Sequence, residues 1–225
     1  MLVSRDRAQM GRAVIAGWGL VIALLVPAAP VAAQGAQAPP QDYTQADVHF
    51  MQGMIMHHAQ AVVMSDWAAT HDARPALQVL ARRIALSQRD EIDLMQRWLR
   101  ARKLDAPDPL HTSRHDTGAV HDTSPMHMPG MDMGAHPMLM NGMLTAEEMR
   151  QLDAARGTAF DSLYLTGMIR HHQGALDMVA TLFATPGAGQ QPEISTLATD
   201  IDAGQRAEIG RMEAMLNTLT PGQAQ

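Results

Sequence analysis

The chain repeats one stretch of sequence that decides its fold: DVHFMQGMIMHH at residues 47–58 returns as DSLYLTGMIRHH at residues 161–172. The two stretches align without a gap. A second match follows in the same order, because the pattern Gln-x-x-Glu-Ile-x-x-Met occurs at residues 88–95 and again at residues 205–212. Two matches in one order indicate two copies of a unit of roughly 60 residues.

Each copy is predicted to form a helical hairpin. At about 100° per residue, His171 and His172 lie on either side of the midline of one helix face, which collects Asp161, Tyr164, Met168, Ala175, Val179 and Leu182. Breaking residues at 70–75 and 185–192 indicate the turns within the hairpins. Two amphipathic hairpins that bury their faces against each other predict an all-α four-helix bundle.

These patterns divide the chain into five segments. We predict a signal peptide at residues 1–33, a disordered leader at 34–44, the first hairpin at 45–104, a Met/His-rich linker at 105–143 and the second hairpin at 144–219. The two hairpins together would form one domain. A capping-box pattern, Thr145-x-x-Glu148, predicts that the third helix begins near Thr145.

The first 33 residues have the features of an export signal. Three arginines precede an apolar run at residues 13–27, and Val31-Ala32-Ala33 gives the small-residue pattern for cleavage before Gln34. An uncleaved anchor helix over residues 13–33 is the alternative, since that stretch is just long enough to span a bilayer. With cleavage, we expect a periplasmic protein without a stable membrane span.

Composition excludes several function classes. The 225-residue chain has a formal charge of −6, which argues against a nucleic acid partner. It has no cysteine, so disulfides, thiolate metal sites and thiol catalysis are excluded. No nucleophile–base constellation, phosphate loop or nucleotide fingerprint is present, and we assign no catalytic residue. The chain instead has 19 Met and 11 His residues.

The linker carries the first group of candidate metal ligands. Proline and glycine interrupt its methionines, so these cannot form an apolar helix stripe. Thioethers are soft ligands that select Cu(I), and imidazole also serves Cu(II). The predicted ligands of this segment are Met126, His127, Met128, Met131, Met133 and His136. The alternative is a neutral low-complexity spacer.

The adjacent histidine pairs carry the second group. The pairs occupy equivalent positions in the two copies, each with a methionine three residues before and another seven residues after its first histidine. The predicted ligands are His57, His58, His171, His172, Met54, Met64, Met168 and Met178. Carboxylates on the same faces could orient the imidazoles or bind metal themselves, namely Asp47, Glu91, Asp161 and Glu208. The pattern leaves open one shared site, two equivalent sites, or histidines that are merely packed in the core.

The pattern Met-Ile-x-His-His-x-x-Ala-x-x-Met at residues 168–178, followed by Gln-x-x-Glu-Ile at 205–209, resembles the bacterial DUF305 family. The first copy keeps the first pattern at residues 54–64. The resemblance covers residues 47–104 and 161–219. It implies an exported protein with a ferritin-like helical bundle that binds metal, with copper handling as the associated role. The Glu-x-x-His motif of ferritin-like di-iron enzymes is absent from both copies, which argues against di-iron oxidase chemistry.

The sequence therefore favours a periplasmic copper-binding buffer or shuttle rather than an enzyme. Its expected partners are copper ions, as Cu(I), Cu(II) or both, and other copper-handling periplasmic proteins. The alternative is a metal-dependent redox enzyme that uses the site in the bundle. Because imidazole must be deprotonated to bind metal, we expect copper affinity to fall as the pH drops through about 6.5.

Overall fold

The computed structural model describes residues 42–112 and 140–219, and every regular element in these ranges is a helix. The predicted signal peptide, most of the leader and the linker ligands at 126–136 lie outside the described residues. The helices are α1 (Gln45–Trp67), α2 (Pro75–Ala101), α3 (Pro109–Thr112), α4 (Ala146–Ala154), α5 (Gly157–Ala184) and α6 (Pro192–Leu219).

The four long helices form two hairpins that pack into a bundle. Helix α1 packs along α2, α5 packs along α6, and the hairpins meet mainly through α1 and α5. Pro75 and Pro192 begin the second helix of each hairpin, where the missing proline N–H leaves no helical hydrogen bond unmade. The structure confirms the predicted all-α four-helix bundle. None of the helices in the described ranges is long and apolar enough to cross a membrane.

The third long helix begins twelve residues later than the capping box predicts. The box does form, since Thr145 Oγ1 accepts from Glu148 N and the Glu148 carboxylate accepts from Thr145 N, but it begins only the nine-residue α4. Ala155 and Arg156 are extended, and the backbone N–H of Gly157 donates to the carbonyl of His71. This contact with the turn of the first hairpin separates α4 from α5.

Two equivalent carboxylates connect the hairpins in a reciprocal way. Asp47, at the start of α1, accepts a 2.7 Å hydrogen bond from the backbone N–H of Gly189 in the second hairpin's turn. Asp161, near the start of α5, accepts from Nε of Arg74 at 2.8 Å and from its backbone N–H at 3.3 Å, in the first hairpin's turn. Both carboxylates are buried. Each hairpin therefore fixes the turn of the other.

The buried interior consists of two apolar clusters. The first cluster lies where α1 begins, α2 ends, α5 ends and α6 begins, and it includes Phe50, Trp98 and Ile201. The second lies at the opposite end and includes Leu77 and Tyr164. Buried histidine and glutamine side chains occupy the middle of the four long helices, and we call them the polar layer: His57, His58, Gln88, His171, His172 and Gln205. The centre of the bundle is therefore polar, with an apolar cluster on either side of it.

Candidate metal site in the polar layer

The four histidines of the polar layer are fully buried, each with 0% of its surface exposed. Consecutive residues on a helix point about 100° apart, so the two members of each pair face different neighbours. His57 on α1 meets α5, while His58 meets α2. The ring centroids within a pair lie 6.5 Å apart on α1 and 6.4 Å apart on α5.

A glutamate orients the second histidine of each pair. Nε2 of His58 lies 2.6 Å from Oε2 of Glu91, and Nε2 of His172 lies 2.7 Å from Oε2 of Glu208. A carboxylate can only accept, so in the neutral imidazole the proton is on Nε2 and the lone pair is on Nδ1. Nδ1 of both rings is buried and has no hydrogen-bond partner within the described part of the chain. Metal-binding histidines typically donate their other ring N–H to a carboxylate or a backbone carbonyl in this way.

The first histidines of the two pairs contact each other across the seam between the hairpins. The ring centroids of His57 and His171 lie 3.8 Å apart, with an interplanar angle of 41°. Nε2 of His57 donates to the backbone carbonyl of Asn141 at 3.1 Å, which leaves its Nδ1 as an unpaired acceptor. Among the described residues, no side chain hydrogen-bonds either ring nitrogen of His171. A buried donor or acceptor without a hydrogen-bond partner costs free energy, so the contact between the two rings leaves this cost uncompensated.

Burial keeps these two imidazoles neutral. It lowers the pKa of His57 to about 3, with His58 and His172 contributing repulsion and the Asn141 carbonyl opposing the shift. Burial also lowers the pKa of His171 well below its ordinary value, with the other three histidines adding repulsion. The expected loss of affinity near pH 6.5 therefore does not apply to these two side chains, because protons compete for them only at much lower pH.

Two buried glutamines extend the polar layer. Gln88 and Gln205 occupy equivalent positions, one helical turn before the glutamates that orient the histidines. Within residues 42–112 and 140–219, neither the amide nitrogen nor the carbonyl oxygen of either side chain has a hydrogen-bond partner. The Gln-x-x-Glu pattern drew attention to both positions, but they were not among the predicted site residues. Their unpaired buried atoms are what distinguishes them.

Residues 140–144, which we call the cover segment, lie across α1 and α5 beside this layer. The Asn141 carbonyl binds His57, and Gln60 holds Leu144 by two hydrogen bonds, of 2.8 and 2.9 Å, to its backbone. Gly174 makes the close approach possible, because a Cβ atom there would lie 1.9 Å from the Asn141 oxygen. The end of the Met/His-rich linker is thus attached directly to the histidine contact.

The predicted methionine ligands have different surroundings. Met54, Met64 and Met168 are fully buried; Met54 belongs to the first apolar cluster and the other two to the second. Met178 is half-buried and lies beside a surface cavity of about 370 Å³. The thioethers at sequence-equivalent positions 64 and 178 therefore do not occupy equivalent environments.

The predicted carboxylates divide into two groups. Glu91 and Glu208 contact the histidines, whereas Asp47 and Asp161 bind the turns of the opposite hairpins. Within residues 42–112 and 140–219, no group of three or more His, Asp or Glu side chains is arranged so that it could hold one metal ion. The described arrangement instead presents imidazole donors in pairs, and a buried methionine precedes the first histidine of each pair by three residues. Imidazole and thioether donors together suit copper better than hard cations.

Comparison with known proteins agrees with this architecture. The family model described as a domain of unknown function, DUF305, matches residues 47–216. The chain belongs to the DUF305 family. A DUF305 fragment from Deinococcus radiodurans is 27% identical, with a TM-score of 0.60, over 80% of this chain and 99% of that one. A DUF305 protein from Streptomyces coelicolor that is predicted to be secreted is 25% identical, with a TM-score of 0.61, over 82% and 98%.

Other similar structures are those of CopM. Its Cu(I)-bound form is 25% identical to this DUF305 chain, with a TM-score of 0.54, over 76% of this chain and 96% of that one. CopM has also been solved in Cu(II)-bound, silver-bound and apo forms. Uncharacterized protein L153 of Acanthamoeba polyphaga mimivirus is 40% identical over 58 residues, so the match spans 26% of this chain and only 38% of that curated relative.

Proposed function

We propose that this DUF305 protein binds copper as an exported buffer or shuttle. The observation that carries the proposal is the set of unpaired Nδ1 atoms on His57, His58 and His172, each on a ring whose Nε2 is bound by a carbonyl or a carboxylate. This orientation leaves the metal-binding nitrogen of each ring free. The copper-bound and silver-bound structures of CopM, a similar protein, support the choice of metal.

The polar layer would hold copper through pairs of imidazoles, supplemented by thioethers. Cu(I) is a soft ion that accepts thioether donors, and Met54 and Met168 each lie one helical turn before the first histidine of a pair. The His57–His171 contact joins the two hairpins, which favours a site shared between them over two independent sites. The linker methionines and histidines at 126–136 would add a second, weaker binding segment.

Two surface cavities of the described residues are lined by none of the four histidines of the polar layer. A catalytic metal needs an open coordination position beside a substrate pocket. The cavity of about 590 Å³ lies between α2 and α6 near Trp98 and Glu193, and none of the four histidines of the polar layer lines it. The same is true of the cavity of about 370 Å³ beside Met178.

The test is titration of the purified protein with Cu(I) and Cu(II) separately, with metal analysis of the loaded protein. The variants His57→Ala/His58→Ala and His171→Ala/His172→Ala should each abolish the tightest site if it is shared. If the hairpins bind independently, each double variant should lose half of the tight sites. Tight binding that persists when all four histidines are replaced would contradict the proposal.

His71 provides the matched control. It is a buried histidine whose Nδ1 contacts Thr70 Oγ1 and whose Nε2 donates to the carbonyl of Asp153, both at 2.9 Å. Because both nitrogens are used, His71→Gln should leave the tight copper site unchanged. Export is tested separately: the protein recovered from the periplasm should begin at or near Gln34, and an intact N-terminus in the membrane fraction would indicate an anchored protein instead.

A further inference from the structure

One histidine within the described residues is exposed on α1 near the cover segment. His49 is exposed on α1, where it lines the cavity of about 370 Å³ together with Asn141, Asp177 and Met178. It lies four residues before Gly53 and eight before His57, so the three positions follow successive turns on one side of α1. His49 was not among the ligands expected from the sequence.

Two thioethers converge at Gly53, one helical turn after this histidine. A Cβ atom at Gly53 would meet Cε of Met178 at 3.4 Å and Sδ of Met140 at 3.6 Å. Both methionines are half-buried. Glycine at position 53 leaves α1 without a side chain at this point, so the two thioether groups approach the helix backbone between His49 and His57.

The arrangement is specific to one side of the bundle. The residue equivalent to His49 in the second hairpin is Leu163, and the methionine equivalent to Met178 is Met64, which is fully buried. At Gly167, the equivalent of Gly53, a Cβ would meet the side chain of Leu144 instead of a thioether. Only the first copy therefore has an exposed histidine one helical turn from a position where two thioethers meet.

We propose that His49, Met140 and Met178 form a second, solvent-facing site for a soft monovalent metal ion. The carboxylate of Asp177 lies at the same cavity and binds the Asn141 amide at 2.5 Å, and its negative charge would favour a cation there. Met140 and Asn141 belong to the cover segment, so the site adjoins the residue whose carbonyl binds His57. This inference rests on the proposed copper-binding function. The ion would bind first at this surface site and then reach the fully buried histidines.

Ag(I), a soft monovalent ion that does not change its oxidation state, is the probe. The full chain is labelled with ¹³C at the methionine methyl groups, signals are assigned from single Met→Leu variants, and Ag(I) is added stepwise. The methyl signals of Met140 and Met178 should shift together in one saturable transition. His49→Gln should lower the Ag(I) affinity measured from this transition by about tenfold or more. Loss of a residue that only supports a metal ligand already lowers metal affinity by about tenfold, so loss of a ligand should cost at least as much. The signals of Met54 and Met168 should still respond in that variant.

The control is Met215→Leu, a half-buried methionine of α6 at the other end of the bundle, which should change neither transition. Unshifted signals of Met140 and Met178, with shifts at Met54 and Met168, would overturn the surface site and leave the proposed function standing. A transition at Met140 and Met178 that His49→Gln does not weaken would also overturn the site. Failure of the unaltered protein to bind Ag(I) or Cu(I) would overturn the surface site, and failure to bind Cu(II) as well would overturn the proposed function.

Discussion

The backbone carbonyl of Asn141 lies 3.1 Å from Nε2 of His57 and accepts a hydrogen bond from its N–H. This contact links the end of the Met/His-rich linker to the centre of the bundle. It fixes the tautomer of His57 and directs the free Nδ1 lone pair away from the cover segment. The relationship also sets the limits of any linker deletion, because a deletion that includes Asn141 would alter the histidine site as well as the linker.

Replacement of the orienting carboxylates should weaken copper binding without unfolding the protein. Glu91→Gln and Glu208→Gln preserve the side-chain size but provide a weaker acceptor for Nε2–H, so we expect affinity at the tight site to fall by about 10- to 100-fold. Competition titration with a copper chelator measures the change. Glu213→Gln, an exposed position on the same helix as Glu208, is the control. Equal affinities for all three variants would show that the glutamates do not support the site.

A methyl group at Gly174 should displace the cover segment. The new Cβ would lie 1.9 Å from the Asn141 oxygen, so the backbone of one segment must move. We expect Gly174→Ala to lower the free energy of unfolding by about 1–3 kcal/mol. In Gly204→Ala, by contrast, no atom lies within 4 Å of the added methyl group, and a gain of about 0.5–1 kcal/mol is expected from helix propensity. Urea unfolding of both variants measures the difference, and equal stabilities would contradict the close approach.

The stability of the metal-free protein should fall as the pH is lowered from about 6.5. Folded His57 has a pKa of about 3 and that of His171 is also lowered, whereas the unfolded chain has ordinary histidine values near 6.5. The unfolded state therefore binds more protons below pH 6.5. His57 contributes a loss of about 1.4 kcal/mol per pH unit down to its folded pKa, and His171 acts in the same direction. Urea unfolding at several pH values should show a shallower slope for His57→Gln/His171→Gln. Parallel curves for the two proteins would show that the rings are not held neutral.

Deletion of residues 113–139 should separate the linker from the bundle. The deletion retains Pro107, whose carbonyl accepts from Gln96, and Asn141, whose carbonyl accepts from His57. With a short Gly/Ser connection, the helical content and the tight histidine site should persist, while total copper capacity should fall, chiefly for Cu(I), because the removed donors include many thioethers. Circular dichroism and Cu(I) titration measure these two properties. Unchanged Cu(I) capacity would show that the removed residues act only as a spacer.

The sequence alone was sufficient to predict the bundle. Aligned stretches at 47–58 and 161–172, helical periodicity and the prolines at 75 and 192 are local signals, and amphipathic hairpins have few ways to bury their apolar faces. The histidine pairs were identifiable for the same reason, because equivalent positions in two similar units are buried together. The start of α5 was not predictable from Thr145, because the break after α4 is fixed by a hydrogen bond from Gly157 to His71, 86 residues earlier in the chain.

Only the tertiary structure decided which side chains contact one another. Periodicity places Asp47, Glu91, Asp161 and Glu208 on interior faces, but it does not fix distances between helices. Helix packing brings the two glutamates to the histidines and the two aspartates to the opposite turns. In the same way, the lowered pKa of His57 and the convergence of Met140 and Met178 near Gly53 depend on burial and on backbone approach between distant segments. These properties depend on how helix surfaces pack together. A sequence pattern indicates which face of a helix a residue lies on, but not which residue of another helix it contacts.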